Sequence, residues 1–410
     1  MSVAAATARR PRARVARKAG AFEFQLIVLV SLALVAFGLV MVYSATSAPA
    51  ALGGSDPTTS LKRQGTYALL GLVALFVAAR TDYRRLRALA PTLLVVAGLL
   101  CAFVAVAAPS VNGARRWIAV GSLTFQPSEL AKVAVAIWVS AHLSRHRAPR
   151  TLKELARPIG LVACLFALLI LAEPDLGTTI ALMLMLFGIL LVAGVPLPTL
   201  GGAASLAMLG GLVMLWTHAY QRARFFAFFH PFSNPQGAGY QLAQAWLGLG
   251  SGGIFGRGLG QGIQKIHYLP EANTDMIFAV IGEELGLVGV TLVVLAYAAF
   301  AYAGFRVALA CRDPFGKRLA AGLTTLVCGQ AVVNLAAVLG IAPLTGIPLP
   351  FISYGGTNLL LTLASVGVLL NIAVNGGKGQ AAAVPDRSRG NSGTRRPSAG
   401  NRRSAAGARR

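Results

Sequence analysis

Residues 24–43 read FQLIVLVSLALVAFGLVMVY, with no charge and, besides Tyr43, only Gln25 and Ser31 polar. Wound into a helix, twenty residues rise about 30 Å, the thickness of a bilayer's hydrocarbon core. The apolar run that begins after Phe22 is about 25 residues long, more than the h-region of a cleavable signal peptide. It reads as a retained membrane span. The same pattern recurs along the chain, at 64–79, 88–108, 127–143, 158–172, 176–194, 198–217, 275–305, 319–340 and 354–375. With the first span, taken as 23–46, this makes an all-α polytopic membrane protein of about ten transmembrane helices.

The 410 residues are 56% hydrophobic and 12% charged, about half the charge of a soluble domain. The formal net charge of +24 resembles that of a nucleic-acid binder, but its placement argues against one. Arg9, Arg10, Arg12, Arg14, Arg17 and Lys18 crowd the first twenty residues, and nine Lys or Arg lie from Lys378 to Arg410. Both ends are rich in Ala, Gly, Ser and Pro, a composition expected of disordered tails drawn to anionic head groups. The expected organisation is a basic tail at 1–21, a membrane domain at 22–375 and a second basic tail at 376–410, with no nucleic-acid partner. Four cysteines and five histidines form no disulfide framework and no metal-ligand spacing.

The connections sort by charge. Arg80, Arg84, Arg85 and Arg87 follow the second span. Arg145, Arg147, Arg150, Lys153 and Arg157 follow the fourth, and Arg306, Arg312, Lys317 and Arg318 follow the eighth. The positive-inside rule puts these loops and both tails on the cytoplasmic side. The outer loops are then 47–63, 109–126, 173–175, 218–274 and 341–353. The fourth outer loop, 218–274, is much longer than an ordinary connection. Its aromatics and glycines predict a segment folded onto the membrane surface, with a short amphipathic helix near Tyr240 to Leu249.

Only thirteen acidic residues exist. Glu129, Glu173, Asp175, Glu271, Asp275, Glu283 and Glu284 fall on the outer face or within the outer half to middle of a span, where an ionisable group points to function. Glu129 and Lys132 stand three apart on one helix face, as a self-neutralising pair, a charged cavity wall, or both. Arg115 and Arg116 are outer arginines, either interfacial anchors or phosphate contacts. Glu173 and Asp175 open the sixth span, as a helix cap or as part of a cavity. Asp275 stands where the long loop enters the membrane, placed for a general base or for a cap. Glu283 lies about 12 Å further along a helix, turned by about 80°, so the two could line one groove while Glu284 packs against another helix. Pro348-Leu-Pro-Phe-Ile-Ser-Tyr-Gly-Gly356, which includes Ser353, reads as broken backbone lining a cavity. Gln330 and Asn334 share a face of the preceding span and should hydrogen-bond across helices.

These stretches resemble the SEDS family (shape, elongation, division and sporulation). The resemblance is carried by Gly113-Ala-Arg-Arg-Trp-Ile118, Gln126-Pro-Ser-Glu-Leu-Ala-Lys132, Glu173-Pro-Asp-Leu-Gly177, Gly239-Tyr-Gln241, Tyr268-Leu-Pro-Glu271, Thr274-Asp275, Glu283-Glu-Leu-Gly286 and Pro348 to Gly356. It runs in order over about residues 22–375. It implies a peptidoglycan glycosyltransferase that polymerises lipid II at the outer face of the bacterial cytoplasmic membrane and releases undecaprenyl diphosphate. It carries an essential aspartate onto Asp275 and a Glu and Lys onto Glu129 and Lys132. Arg115, Arg116, Asp175, Glu271, Glu283 and Ser353 are the further candidates for the substrate cavity.

The resemblance also implies Mg²⁺ or Mn²⁺ without an organic cofactor. The implied partners are a class B penicillin-binding transpeptidase and other division proteins. Asn273, Met276 and Thr357-Asn358 depart from the common pattern, which blurs the division and elongation branches. Tyr268 and the basic tails favour division. A lipid II flippase and a noncatalytic divisome scaffold are the competing functions.

Overall fold

The structure is a computed structural model that describes residues 10–54, 56–109, 115–121, 123–217, 219–232, 237, 239–266 and 268–377. Helices α1 (Arg10–Leu52), α2 (Thr59–Arg80) and α3 (Arg84–Ala107) precede a hairpin of β1 (Ile118–Val120) and β2 (Leu123–Phe125). Then come α4 (Pro127–Arg145), α5 (Leu152–Leu155), a π-helical turn (Ala156–Gly160), α6 (Leu161–Ala172), α7 (Leu176–Val192) and α8 (Leu197–Thr217). Helices α9 (Ala219–Phe229), α10 (Tyr240–Gly252), α11 (Ile277–Ala310), α12 (Pro314–Val338) and α13 (Gly356–Asn375) complete the chain. Among the described residues, seven helical segments are long and apolar enough to cross a membrane. The protein is a multi-span membrane protein, all-α apart from the hairpin.

Three further helices coincide with expected spans and have local reasons for weaker signals. Helix α2 is bounded by Arg63 and Arg80, α4 carries Glu129 and Lys132, and α7 is 17 residues long. Their starts follow ordinary capping chemistry. Pro127 occupies the first turn of α4, where a missing N–H costs nothing. The Asp175 carboxylate accepts from Thr178 N at 2.9 Å to cap α7, and Asp313 accepts from Gly316 N at 3.2 Å to cap α12.

Helices α12 and α13 form the centre: 67% of the apolar window of each is buried, against 17% for α8. Close approach uses small residues, as between membrane helices generally. A Cβ at Gly367 of α13 would overlap the Leu75 carbonyl of α2. At one end of the bundle the basic connections are tied together. Tyr83 Oη donates to Asp313 at 2.9 Å, and Arg318 donates to the Leu143 carbonyl at 2.8 Å. At the opposite end the hairpin is pinned by Tyr67 Oη on Thr124 O at 2.8 Å and by Thr357 Oγ1 on the same carbonyl at 3.0 Å.

Two expectations change. Helix α1 begins at Arg10, inside the stretch 1–21 expected as a disordered tail, because Ala, Arg and Lys are good helix formers that extend the first span. Residues 1–9 and 378–410, the rest of the expected tails, lie outside the described residues.

The long connection does not simply lie over the helix ends. Beyond α10, Arg257 N and Gly258 N donate to the carbonyls of Glu283 and Glu284 at 3.0 and 2.9 Å. Leu287 N and Val288 N donate to the carbonyls of Gly253 and Ile254 at 3.0 and 3.1 Å. These positions are about 9–17 Å along α11 from its first residue. Helix α11 is broken there at Gly286, whose φ of 63° suits only glycine, and the glycine-rich loop takes up the backbone groups that the break frees. Gly256 must lack a side chain, because a Cβ would strike the Glu284 carbonyl.

Candidate active site

Asp275 ends a tight turn over Glu271–Met276. Glu271 has φ 54°, and its carbonyl accepts from Thr274 N at 3.1 Å and Met276 N at 3.2 Å. Neighbouring elements hold this turn through its backbone. Ser353 Oγ donates to Thr274 O at 2.6 Å, Tyr354 N donates to Asn273 O at 2.8 Å, and Asn334 Nδ2 donates to Asp275 O at 2.7 Å. Asn334 also donates to Ile347 O at 2.8 Å, so α12 joins the two broken-backbone segments. Ser353 is thus a scaffold for the turn, and it accepts from Leu349 N at 2.7 Å.

The Asp275 side chain is left for other work. It is buried, with Thr274 Oγ1 at 3.3 Å from Oδ1. Burial pushes its carboxyl up to about 6. The Arg224 guanidinium of α9 opposes the rise, and the nearby Glu271 charge adds to it. Glu271 Oε2 accepts from Thr274 Oγ1 at 2.8 Å. Arg224 donates to Gln241 Oε1 at 2.9 Å, and Gln241 Nε2 reaches Pro270 O at 3.4 Å. Arg224 escaped the sequence reading, although it is an arginine in an outer loop, the same signal that singled out Arg115 and Arg116.

Glu129 and Lys132 form a buried ion pair of 2.7 Å on α4. Glu129 borders a small void between α4, α12 and α13, beside Gln330, Leu361, Thr362 and Ser365. Gln330 stands one helical turn from Asn334 on the same face of α12. A single helix face therefore links the backbone of Asp275 to the charged pair. Gln330 Nε2 is buried and has no hydrogen-bond partner among the described residues.

The other candidates are bound elsewhere. Arg115 donates to Val106 O at 2.7 Å, while Arg116 donates through Nε to Glu173 O at 2.9 Å and through Nη2 to Pro174 O. Both arginines hold backbone. Asp175 caps α7 and accepts from Gln126 Nε2 at 3.1 Å, so the cap is its observed role. Glu283 does not share a groove with Asp275: it accepts from Ile263 N at 2.8 Å and Gln264 N at 3.2 Å. Glu284 binds Lys265 Nζ at 2.6 Å and Ser44 Oγ at 2.7 Å. The glutamates clamp the glycine-rich loop onto α11 and α1. Sequence reading missed Lys265 and Ser44 as their partners, since only the folded loop brings them there.

Glu173 is fully buried, and the Ser128 hydroxyl and the Cys101 thiol face its carboxylate. Burial pushes its carboxyl up to about 8, with Asp175 adding to the rise and Arg116 opposing it. A raised carboxyl means the folded chain holds a proton that the unfolded chain has released. Stability should fall as pH rises from the ordinary carboxylate range to about 8, then level off. Glu173→Gln should remove that slope. Melting temperatures of both proteins, taken from about pH 5 to about pH 9, should separate in favour of the variant; parallel curves would show an ionised Glu173.

With this geometry in hand, comparison with known proteins is specific. Residues 24–377 match the family described as Cell cycle protein, which comprises FtsW, RodA and SpoVE. The probable peptidoglycan glycosyltransferase FtsW of Geobacter sp. (strain M18) is 39% identical over 353 residues, covering 85% of this chain and 96% of the relative. The Stage V sporulation protein E of Bacillus subtilis is 36% identical over 352 residues, covering 85% and 96%. A chain from a peptidoglycan synthase complex that coordinates polymerization and crosslinking superimposes with a TM-score of 0.72 at 31% identity, covering 86% of this chain and 98% of that one. The crystal structure of the rod shape determining protein RodA of Thermus thermophilus gives a TM-score of 0.64 at 30% identity, covering 86% and 97%.

Proposed function

The chain belongs to the Cell cycle protein family of FtsW, RodA and SpoVE, and from that premise we propose that it is a peptidoglycan glycosyltransferase polymerising lipid II into glycan strands. The observation that carries the assignment to a site is the buried Asp275, fixed through its backbone by Asn334 while its carboxyl remains available.

The acceptor is the 4-hydroxyl of the N-acetylglucosamine on an incoming lipid II. Its oxygen attacks the anomeric carbon of the lipid-diphosphate-linked strand, with inversion. Asp275 takes the hydroxyl proton, the bond from the anomeric carbon to the diphosphate oxygen breaks, and undecaprenyl diphosphate leaves with that electron pair. A pKa near 6 suits a base that must be ionised at neutral pH and still accept a proton. The leaving diphosphate needs positive charge more than a proton. Arg224, whose charge acts on Asp275, is the cation best supported for that contact. Lys132, paired with Glu129 on α4, is the second candidate cation.

No set of three His, Cys, Asp or Glu side chains suited to a metal occurs among the described residues. Glu271 and Asp275 together offer two carboxylates. Mg²⁺ takes much of its shell from phosphate oxygens and water, so Glu271, with Asp275 kept as the base, fits a cation that arrives with the substrate. When bound, that cation would neutralise diphosphate charge.

The finer topology in this reading is ten spans, with α2, α4 and α7 added to the seven strongest, and both termini cytoplasmic. The FtsW relatives favour the division branch and placement at the septum. The synthase-complex relative favours a crosslinking transpeptidase as partner.

The test is reconstitution of the full chain with its cognate transpeptidase, labelled lipid II and Mg²⁺ or Mn²⁺, read as glycan ladders on a gel. Ladders are expected. Their absence from a verified complex with active substrate would overturn the polymerase reading, and a lipid II translocation assay on the same preparation would then separate a flippase from a scaffold.

A further inference from the structure

We propose that the cleft between the α4–α5 and α7–α8 connections, at the end of the bundle opposite Asp275, is a binding site for the phosphate headgroup of an anionic phospholipid. The cleft opens to the surface, has a volume of about 820 Å³ and is lined by Arg147, Ala148, Arg150, Glu154, Gly194 and Pro196. Its neighbourhood, residues 145–157, holds Arg145, Arg147, Arg150, Lys153 and Arg157 against the single acid Glu154.

Positive charge at this end is general, and the exposed Arg85 and Arg312 side chains are likewise unpaired among the described residues; what sets this connection apart is that Arg147 and Arg150 line a cleft. Elsewhere Arg80 sits over the Phe76 ring, Arg84 pairs with Asp82, Arg306 pairs with Glu23, and Arg318 donates to Leu143 O. The guanidinium groups of Arg147, Arg150 and Arg157 and the Lys153 ammonium have no such partner among the described residues, and all four residues are exposed. The one nearby acid is partly used: Glu154 accepts from the backbone N of Arg150 at 2.8 Å.

The cleft floor is built rather than incidental. Thr199 Oγ1 donates to Arg150 O at 2.7 Å, which ties the first turn of α8 to this connection. Side chains next to the lining residues are apolar and open, with Leu152 46% and Leu197 67% exposed. Guanidinium groups match phosphate oxygens geometrically. Flanking leucines suit acyl chains, which a free phosphate lacks, and this combination selects a lipid over inorganic phosphate.

The test uses the full-length protein in nanodiscs of phosphatidylcholine alone or of phosphatidylcholine and phosphatidylglycerol in equal amounts. Lipid retained on release into the gas phase is read by native mass spectrometry. Wild type should retain phosphatidylglycerol. The double variant Arg147→Gln, Arg150→Gln should retain it about a hundredfold more weakly, since each charge-assisted hydrogen bond to phosphate that is lost typically costs about tenfold. The control Arg312→Gln, Lys317→Gln removes two charges from another basic connection and should retain lipid as wild type does. Equal loss in the control would mean general surface attraction and overturn the site. So would undiminished retention in the double variant, or displacement of the lipid by inorganic phosphate or glycerophosphate.

Discussion

Asp275→Asn is expected to abolish glycan ladders while leaving expression, melting temperature and transpeptidase binding near wild type. The substitution keeps the volume of the side chain. The bonds that hold the turn run through the backbone, from Asn334, Ser353 and Tyr354, and none of them is lost. What disappears is the buried carboxylate placed to take the acceptor's proton. Losing a general base typically costs about 10²–10⁴ in rate. A variant that still makes ladders at a tenth of the wild-type rate would take Asp275 out of the chemistry.

The pH dependence distinguishes a base from a spectator. Activity should fall as pH drops through about 6, where Asp275 takes up its proton. The neighbours set the sign of further shifts. Glu271 raises the Asp275 carboxyl and Arg224 lowers it. Removing Glu271's charge should therefore move the acid limb to lower pH, and removing Arg224's charge should move it to higher pH. Opposite displacements of one limb by two side chains would not follow from a merely structural defect.

Most of the helices were legible because lipid imposes a length and an apolar composition that few sequences meet by accident. The failures have a common cause. The angular estimate that put Asp275 and Glu283 on one groove assumed one continuous helix. In the structure α11 starts at Ile277, after Asp275, so no helix links the directions of the two residues. Glu283 then takes its direction from Ile263 N and Gln264 N, donors in a loop whose path no periodicity encodes. Lys265 was invisible for the same reason: a lysine in a glycine-rich loop reads as exposed until the loop folds beside α11 and α1, where it is 3% exposed. The hairpin β1–β2 is three residues per strand, too short for alternation to show. Ser353 and Asn334 were both singled out, but as cavity residue and cross-helix donor. Their shared role in holding the Asp275 turn belongs to three segments distant in sequence.

Lys132→Met should be among the most destabilising single substitutions in the protein. Lys132 and Glu129 are 1% and 4% exposed and stand 2.7 Å apart within the bundle. Deleting one partner leaves a buried charge uncompensated, which typically costs about 3–5 kcal/mol. The variant should accumulate poorly and melt well below wild type in detergent. The double variant Glu129→Gln, Lys132→Met removes both charges, and its stability should return close to wild type, because a neutral pair of similar volume costs little to bury. Activity then separates the two roles the sequence left open. A pair that only neutralises itself would give a double variant both stable and active. Glu129 stands beside Gln330, one helix turn from the residue that holds Asp275, and a role in the site would give the other result: stability restored, ladders still missing. In that case the positive charge of Lys132 serves the departing diphosphate, and Glu129 is the counter-ion that allows a lysine to be kept at that depth.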